Sequence, residues 1–158
     1  MVRAHGISAI AAFFLVLAGS AAHCSERDIY PAPNQAKTDL AAALAASAAG
    51  HKRVLLDFGG NWCTDCHVLE RYFHDPANMS ILEANYVLVH VNIGRMTENL
   101  DIAERYRIPL RKGVPALAVL GEHGELLYSQ RTGEFEAMRA MQSSAVTEFL
   151  VHWKPPAA

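Results

Sequence analysis

The sequence predicts one α/β domain built on a mixed sheet of four to five strands, with helices on both faces. Two apolar, β-branched runs, at 53–58 and 86–93, predict buried strands, and a stretch of helical periodicity separates them. That alternation gives two parallel strands joined by a crossover. Two later runs, at 116–120 and 126–130, flank the turn "GEHGE" and predict an antiparallel hairpin.

The helices follow from local patterns. They are assigned where apolar residues recur three or four positions apart, and they end at glycine, proline or a polar turn. The predicted helices are 38–50, one from Cys63 to about Phe73, one from Pro76 to about Ala84, 97–106 and 145–153. Thr38 or Asp39 is expected to cap the first helix and Gly50 to close it. In the fourth helix, Leu100, Ala103 and Tyr106 are expected to face the core.

The first 22 residues have the three parts of a secretory signal peptide. Arg3 and His5 give a weakly basic start, an apolar run follows at 7–19, and small residues close the segment at 20–22. A membrane-spanning helix needs about 20 apolar residues, so an uncleaved anchor is the less favoured alternative. We therefore expect export to the periplasm.

The mature chain is expected to begin near Cys24. Lipid attachment at this cysteine is a minor alternative, because His23 stands where bacterial lipoproteins normally have Gly or Ala. Residues 23–37 are polar and carry two prolines, which predicts an extended lead-in segment. The folded domain is expected at 38–154, a length that suits one domain with its own hydrophobic core.

Composition excludes two classes of protein. The net charge is -2, which gives no indication of a nucleic-acid or anionic-membrane partner. The chain has three cysteines, too few for a disulfide-rich scaffold. Cys63 and Cys66 are so close in sequence that a bond between them closes too small a loop to stabilise a fold much. In an exported chain such a pair indicates redox chemistry.

The stretch "NWCTDCH", residues 61–67, fits two chemistries: Cys-x-x-Cys-His attaches c-type haem, whereas Cys-x-x-Cys after Trp is typical of a redox dithiol. The motif follows the first buried strand and opens a helix, where α/β proteins place their chemistry. A helix N-terminus offers unpaired N–H groups and about half a positive charge, which stabilise a thiolate. Cys63 is therefore the predicted nucleophile, and Cys66, one turn later, is the predicted resolving thiol.

Four segments, "VLLDFGGNWCTDC", "VLVHVNI", "GVPAL" and "LLYSQRTG", resemble the thioredoxin superfamily. The resemblance extends from about Lys37 to Trp153. The stretch "NWCTDCHVLERYFHDP" is most similar to the periplasmic branch that includes the C-terminal domain of bacterial transmembrane disulfide reductases. The resemblance implies a thioredoxin fold and thiol-disulfide exchange.

Several roles carry over from the family. Trp62 matches the aromatic residue that borders the substrate groove. Asp57 matches the buried acid that accepts, through a water, the proton of Cys66; the alternative is an aspartate at a strand end that reaches solvent. Val114 and Pro115 match the cis-proline pair, in which the backbone before the proline binds an extended substrate chain. An ordinary trans-proline that opens a strand is the alternative.

Two departures from thioredoxin are expected to tune the redox chemistry. Thr64 and Asp65 replace Gly-Pro between the cysteines, and an anionic Asp65 should oppose a thiolate on Cys63. That effect favours a donor of electrons over a strong oxidant. His90 replaces a lysine, and we predict that it lies near Asp57 and makes the resolving step sensitive to pH near neutrality. A histidine without such a partner is the alternative.

The sequence therefore predicts a periplasmic thiol-disulfide oxidoreductase that reduces disulfides through Cys63 and Cys66. The expected partners are disulfide-containing exported proteins and a membrane electron donor, and the chain is expected to be a monomer. The redox-active disulfide is expected to work without a cofactor or a metal. A metal-handling protein, with His67 or His90 as a further ligand, is one alternative, although closed zinc sites normally have four ligands.

Two further alternatives stay open at the level of sequence. A c-type haem protein would be mostly helical and would supply a distal ligand such as methionine, whereas the predicted strands and hairpin do not suit that architecture. A binding module without turnover would have no need of both cysteines and Trp62, all of which are present.

Overall fold

The computed structural model describes residues 28–156. The expected signal peptide at 1–22 and Cys24 lie outside the described residues. Four strands form one sheet in the order β2-β1-β3-β4. The strands are β1 Arg53–Gly59, β2 Tyr86–Asn92, β3 Ala116–Leu120 and β4 Leu126–Ser129. The helices are α1 Ala36–Gly50, α2 Thr64–Phe73, α3 Pro76–Asn85, α4 Leu100–Arg105 and α5 Ser143–Trp153.

The predicted mixed α/β sheet is confirmed. Strand β1 pairs in parallel with β2 and antiparallel with β3, and β3 and β4 form the predicted hairpin. The parallel register sets Asp57 of β1 opposite His90 of β2. Because β1 ends at Gly59, the cysteine motif begins directly after the carboxyl end of a central strand that is buried from Val54 to Gly59.

Side chains alternate between two cores on either side of β1. Val54, Leu56 and Phe58 pack in the core that includes α1 and α4, whereas Leu55 packs in the core that includes α2 and α5. All four of these side chains have no exposed surface. Burial on both faces explains why the strand is an almost continuous apolar run. Asp57 is the one acid in that run.

The lead-in segment is not extended throughout, contrary to the prediction for 23–37. Pro33–Gln35 forms a 3-10 turn that leads into α1 at Ala36. The fixed φ of proline suits the first position of a helical turn, which explains the early start. At the other end, His51 rather than Gly50 adopts the left-handed conformation that closes α1, with φ 51°.

The predicted inward position of Leu100 is wrong. Its side chain is 46% exposed, whereas Ile102, Ala103 and Tyr106 are buried. Ala103 and Tyr106 are buried as predicted, but α4 begins only at Leu100, after Asn99 in a left-handed conformation, so Leu100 is the first residue of the helix and not an interior position of one that starts at Thr97. Within residues 28–156, no helix is both long and apolar enough to cross a membrane.

Candidate active site

The two cysteines form a disulfide at the start of α2, with their Cα atoms 5.2 Å apart. Cys63 has extended backbone angles and caps the helix, so its Sγ accepts a hydrogen bond from the Cys66 N–H at 3.2 Å. That geometry directs the Cys66 N–H, a backbone donor of the first helical turn, toward the Cys63 sulfur, where it stabilises a thiolate after reduction. Cys63 is 6% exposed and Cys66 is fully buried, which makes Cys63 the sulfur that an incoming thiol or disulfide can reach.

The loop before β3 lies against the outer sulfur. The Val114–Pro115 peptide bond is cis, and the Val114 carbonyl oxygen is 3.5 Å from Cys63 Sγ. Trp62, the residue before Cys63, is 40% exposed. Its indole N–H donates to the Gly94 carbonyl, and the Arg95 guanidinium lies 5.6 Å from the ring centroid, a cation–π arrangement that holds the ring.

Asp57 lies behind the disulfide and is 1% exposed. Its Oδ2 accepts a hydrogen bond from the Tyr30 hydroxyl at 2.7 Å and lies 3.0 Å from His90 Nδ1. Oδ1 has no hydrogen-bond partner within residues 28–156. The structure thus places Asp57 and His90 together, and it adds Tyr30, which the sequence had not suggested.

His90 lies between two carboxylates. Its Nε2 is 3.6 Å from Glu70 Oε2 while its Nδ1 faces Asp57, and its side chain is 18% exposed. Burial lowers the pKa of the His90 imidazole, but the hydrogen bond and charge of Asp57 and the charge of Glu70 outweigh burial and raise the pKa above its ordinary value. The shift favours the protonated imidazole, whose positive charge neutralises part of the buried negative charge.

Asp65 has a cationic partner that the sequence did not indicate. Its Oδ1 accepts from the Arg139 backbone N–H at 2.9 Å, and its Oδ2 lies 3.1 Å from both the Nε and a terminal nitrogen of the guanidinium. Partial burial raises the pKa of the Asp65 carboxyl, but the hydrogen bonds and charge of Arg139 outweigh burial and lower it. Asp65 is therefore ionised, and Arg139 offsets the field that it exerts on Cys63. Thr64, beside it, is exposed.

Three residues of this site were missed by sequence reasoning. Glu70 follows Cys66 by one helical turn, so the i, i+4 spacing could have found it. Tyr30 is 27 residues from Asp57, and Arg139 is 74 residues from Asp65. Neither belongs to a motif, and only the folded chain brings them to the cysteines.

The histidine of the Cys-x-x-Cys-His stretch turns back onto its own loop. His67 Nε2 donates to the Asn61 carbonyl at 2.8 Å. Within the part of the chain that the structure describes, no three His, Cys, Asp or Glu side chains group as metal ligands would. The four-stranded sheet also differs from the mostly helical architecture expected of a small haem protein.

A comparison with protein families matches the thioredoxin-like family over residues 35–121, more than half of the chain. The chain belongs to the thioredoxin-like family. Among solved structures, a disulphide isomerase from Xylella fastidiosa is similar, with 30% identity, a TM-score of 0.77, and coverage of 81% of this chain and 98% of that one. A thioredoxin from Thermus thermophilus, at 22% identity and a TM-score of 0.51 over 78% of this chain and 83% of that one, shows the fold alone.

Curated relatives are thiol:disulfide interchange proteins. The match to DsbD 2 of Pseudomonas aeruginosa is 30% identical over 113 residues, which is 70% of this chain and 17% of that protein. The match to DsbD of Pseudomonas fluorescens is 34% identical and covers 66% of this chain and 18% of that protein. The chain thus spans less than a fifth of these relatives. The predicted superfamily and fold are confirmed, and the relatives and the cysteine pair support the predicted class, thiol-disulfide oxidoreductase.

Proposed function

We propose that this protein is a periplasmic thiol-disulfide oxidoreductase that reduces disulfides in exported proteins. The observation that carries the proposal is the asymmetry of the cysteine pair. Cys63 caps α2, is 6% exposed and accepts a hydrogen bond from the Cys66 N–H, whereas Cys66 is fully buried. An accessible nucleophile with a protected resolving thiol is the arrangement that two-step disulfide exchange requires.

The reaction follows from that arrangement. The Cys63 thiolate attacks one sulfur of the partner's disulfide, and the electron pair of the broken S–S bond leaves with the partner's other sulfur. Cys66 then loses its proton and attacks Cys63 Sγ. The mixed disulfide breaks, the partner leaves as a dithiol, and the Cys63–Cys66 disulfide forms. Two electrons have moved from the protein to the partner, and the disulfide is the redox centre without any added cofactor.

Trp62 and Val114 provide the contact surface for the partner. The Val114 carbonyl lies beside Cys63 Sγ, where it can accept a hydrogen bond from the backbone of an extended partner segment. The exposed Trp62 ring, held by Gly94 and Arg95, offers a rigid apolar surface to the side chains next to the partner's cysteine. Recognition of this kind is independent of most of the partner's sequence, which suits a reductase for several exported proteins.

The direction of exchange is proposed from the negative charges around the pair. Asp57 is buried two residues before the end of β1, Glu70 lies one turn of α2 after Cys66, and Asp65 lies in the first turn of α2. Carboxylates near a dithiol disfavour its thiolate form and so favour the disulfide, which makes the reduced protein a donor of electrons. Arg139 and the His90 imidazolium reduce this effect without cancelling all three acids. A membrane protein that delivers electrons would then restore the dithiol.

A trapping experiment in cells tests the proposal. The Cys66→Ser variant of the full chain should accumulate mixed disulfides through Cys63, which mass spectrometry of periplasmic extracts would identify. Cys63→Ser is the matched control and should trap nothing. Absence of trapped exported proteins with Cys66→Ser would overturn the proposed function. A reduction potential as high as that of the strongly oxidising dithiol proteins would overturn the proposed direction.

A further inference from the structure

Tyr30 occupies a position that its place in the lead-in segment would not suggest. Its side chain is 2% exposed and lies beneath the disulfide, where its hydroxyl donates to Asp57 Oδ2 at 2.7 Å. The motif loop holds this segment in place, because the Asn61 side chain accepts from the Ile29 and Tyr30 N–H groups and donates to the Tyr30 carbonyl. The same loop thus positions both Cys63 and Tyr30.

Gly59 shows how close the Tyr30 hydroxyl is to the resolving cysteine. A Cβ atom built on Gly59 would lie less than 3.0 Å from both the Tyr30 hydroxyl oxygen and Cys66 Sγ. The Tyr30 hydroxyl oxygen and Cys66 Sγ are therefore at most about 5 Å apart. The last residue of β1 therefore has no side chain at the point where the phenol and the sulfur approach each other.

We propose that the Tyr30 hydroxyl relays the proton of Cys66 to Asp57 during the resolving step. The inference rests on the proposed function, and it assigns to a side chain the role that the family resemblance implies for a bound water. The hydroxyl already donates to Asp57, and its oxygen is free to accept from the thiol. The fold already holds the phenol in place, whereas a water molecule loses entropy when it is immobilised at the site.

The proton balance is simple. As Cys66 Sγ attacks Cys63 Sγ, the Cys66 S–H bond breaks and its proton passes to the Tyr30 oxygen. The Tyr30 O–H proton passes to Asp57 Oδ2, and the phenol ends the step neutral, as it began. Burial and the charge of Asp57 raise the pKa of the Tyr30 hydroxyl well above its ordinary value, so the phenol is neutral before and after the step.

The relay continues to the protein surface through His90. This imidazole is in contact with Asp57 and lines a groove of about 380 Å³ between α1 and β2, together with Pro31 and Asp39. The charged and titratable groups that face it are Asp57 from β1, Glu70 from α2, Tyr30 from the lead-in segment and Asp39 across the groove. Once the imidazole has released its own proton to solvent, it can accept the proton from Asp57, so this route to solvent does not cross the disulfide.

A kinetic experiment separates the relay from a structural role. The reduced full chain reacts with 5,5'-dithiobis(2-nitrobenzoate), which first forms a mixed disulfide at Cys63 and then releases a second thionitrobenzoate when Cys66 attacks. We expect Tyr30→Phe to slow the second release about 10- to 100-fold near pH 6, the range of one lost proton-transfer catalyst, and to leave the first release unchanged. The difference should narrow at alkaline pH, where hydroxide can deprotonate the thiol directly.

Tyr106→Phe is the matched control. It also removes a buried phenolic hydroxyl, and that hydroxyl has no hydrogen-bond partner within residues 28–156. Both release rates should stay at the wild-type values. In an Asp57→Asn background, Tyr30→Phe should cause no further slowing, because the relay has lost its acceptor.

Three results would overturn the relay. They are an unchanged second release in Tyr30→Phe, an equal slowing of both releases, and a full additional slowing in the Asp57→Asn background. If Tyr30→Phe does not fold, 3-fluorotyrosine at position 30 replaces it, and an unaltered pH profile of the second release then overturns the proposal. The outcome is independent of the physiological partner, so a failed trapping experiment with an intact Tyr30 effect would reject the proposed function and leave the relay standing.

Discussion

The two sulfur atoms of the active site lie in contrasting surroundings. Cys63 is reached from outside, beside the exposed Trp62 ring and 3.5 Å from the Val114 carbonyl. Cys66 is fully buried and is backed by Tyr30 and Asp57. The outer side offers a surface to a partner and carries charges that solvent screens, whereas the inner side offers proton acceptors in a medium of low dielectric constant.

This contrast indicates that different residues control the two steps of disulfide exchange. Attack by Cys63 depends on how well its thiolate is stabilised and on how the partner is held. Resolution by Cys66 depends on removal of a proton from a buried thiol, which is costly without an adjacent acceptor. Changes on the inner side should therefore have large effects confined to the second step, and changes on the outer side should have small effects on the first.

The largest effects come from the cysteines themselves. Cys63→Ser should abolish reduction of a disulfide-containing peptide, because the accessible nucleophile is lost. Cys66→Ser should retain one round of attack and then stop as a mixed disulfide. Single-turnover measurements with mass spectrometry of the intact protein distinguish the two. Attack by Cys66 in the Cys63→Ser variant at a rate near that of Cys63 would contradict the difference in accessibility.

Asp57→Asn should have the next largest effect, a decrease of about 100-fold in the resolving rate, within the range of general acid–base catalysis. The amide keeps a similar shape but cannot take up the proton at neutral pH. Stopped-flow release of the second thionitrobenzoate measures this rate, and the first release is the internal control. An equal loss in both steps would show that Asp57 acts on both sulfurs, which would end the distinction between the two sides.

The sequence was sufficient to predict the fold and the residues on the outer side of the disulfide. Buried strands fully covered on both faces leave long apolar runs, and the cysteine motif follows one of them, so Cys63, Cys66 and Trp62 could be located directly. The pairing of Asp57 with His90 came from the family resemblance, and the parallel register of β1 and β2 explains why the two positions meet.

The other contacts of the site join residues that are far apart in the sequence, so no local sequence pattern predicts them. Tyr30 reaches Asp57 only because the segment before α1 folds back along the motif loop, and Arg139 reaches Asp65 only because a 3-10 turn at Met138–Ala140 packs near α2. The inward position of Leu100 was predicted wrongly for a related reason, although Ala103 and Tyr106 are buried as predicted. The starting residue of α4 is set by the preceding turn and not by apolar spacing alone.

His90→Ala should have an intermediate effect, a decrease of about tenfold in the resolving rate together with a flatter pH profile. In the wild type, the imidazole loses its proton as the pH rises through its raised pKa, and the neutral ring can then accept a proton from Asp57. Rates of the second release between pH 5 and 8 test this. His123→Ala, at an exposed histidine, is the control, and an unchanged profile in His90→Ala would remove His90 from the mechanism.

The same histidine should make the folding stability depend on pH. The folded-state pKa of His90 is raised, so its contribution is fully present below the ordinary pKa of about 6.5 and is lost as the pH rises through the folded-state value. His90→Ala should therefore lose more stability at pH 6 than at pH 8.5. Urea unfolding of both proteins at the two pH values measures the difference. An equal loss at both would show that the imidazole contributes packing and not charge.

The smallest effects are expected on the outer side, at the Asp65–Arg139 pair. The Arg139 side chain is 66% exposed, and solvent-exposed pairs of this kind contribute at most about 1 kcal/mol, or roughly a two- to fivefold change in an equilibrium constant. Asp65→Asn removes an anion near Cys63 and should shift the equilibrium with glutathione toward the reduced protein. Arg139→Gln removes the cation and should shift it toward the disulfide.

The two variants together determine whether Arg139 acts through Asp65. In an Asp65→Asn background, Arg139→Gln should have almost no effect if the cation works by offsetting the carboxylate, because that carboxylate is gone. An undiminished shift would mean that Arg139 acts on the Cys63 thiolate directly. Arg71→Gln, at the exposed far end of the same helix, controls for a general loss of positive charge. If the fold-change in this equilibrium exceeded the fold-change that Asp57→Asn causes in the resolving rate, the contrast would be reversed, since surface charge would then dominate over the buried acid.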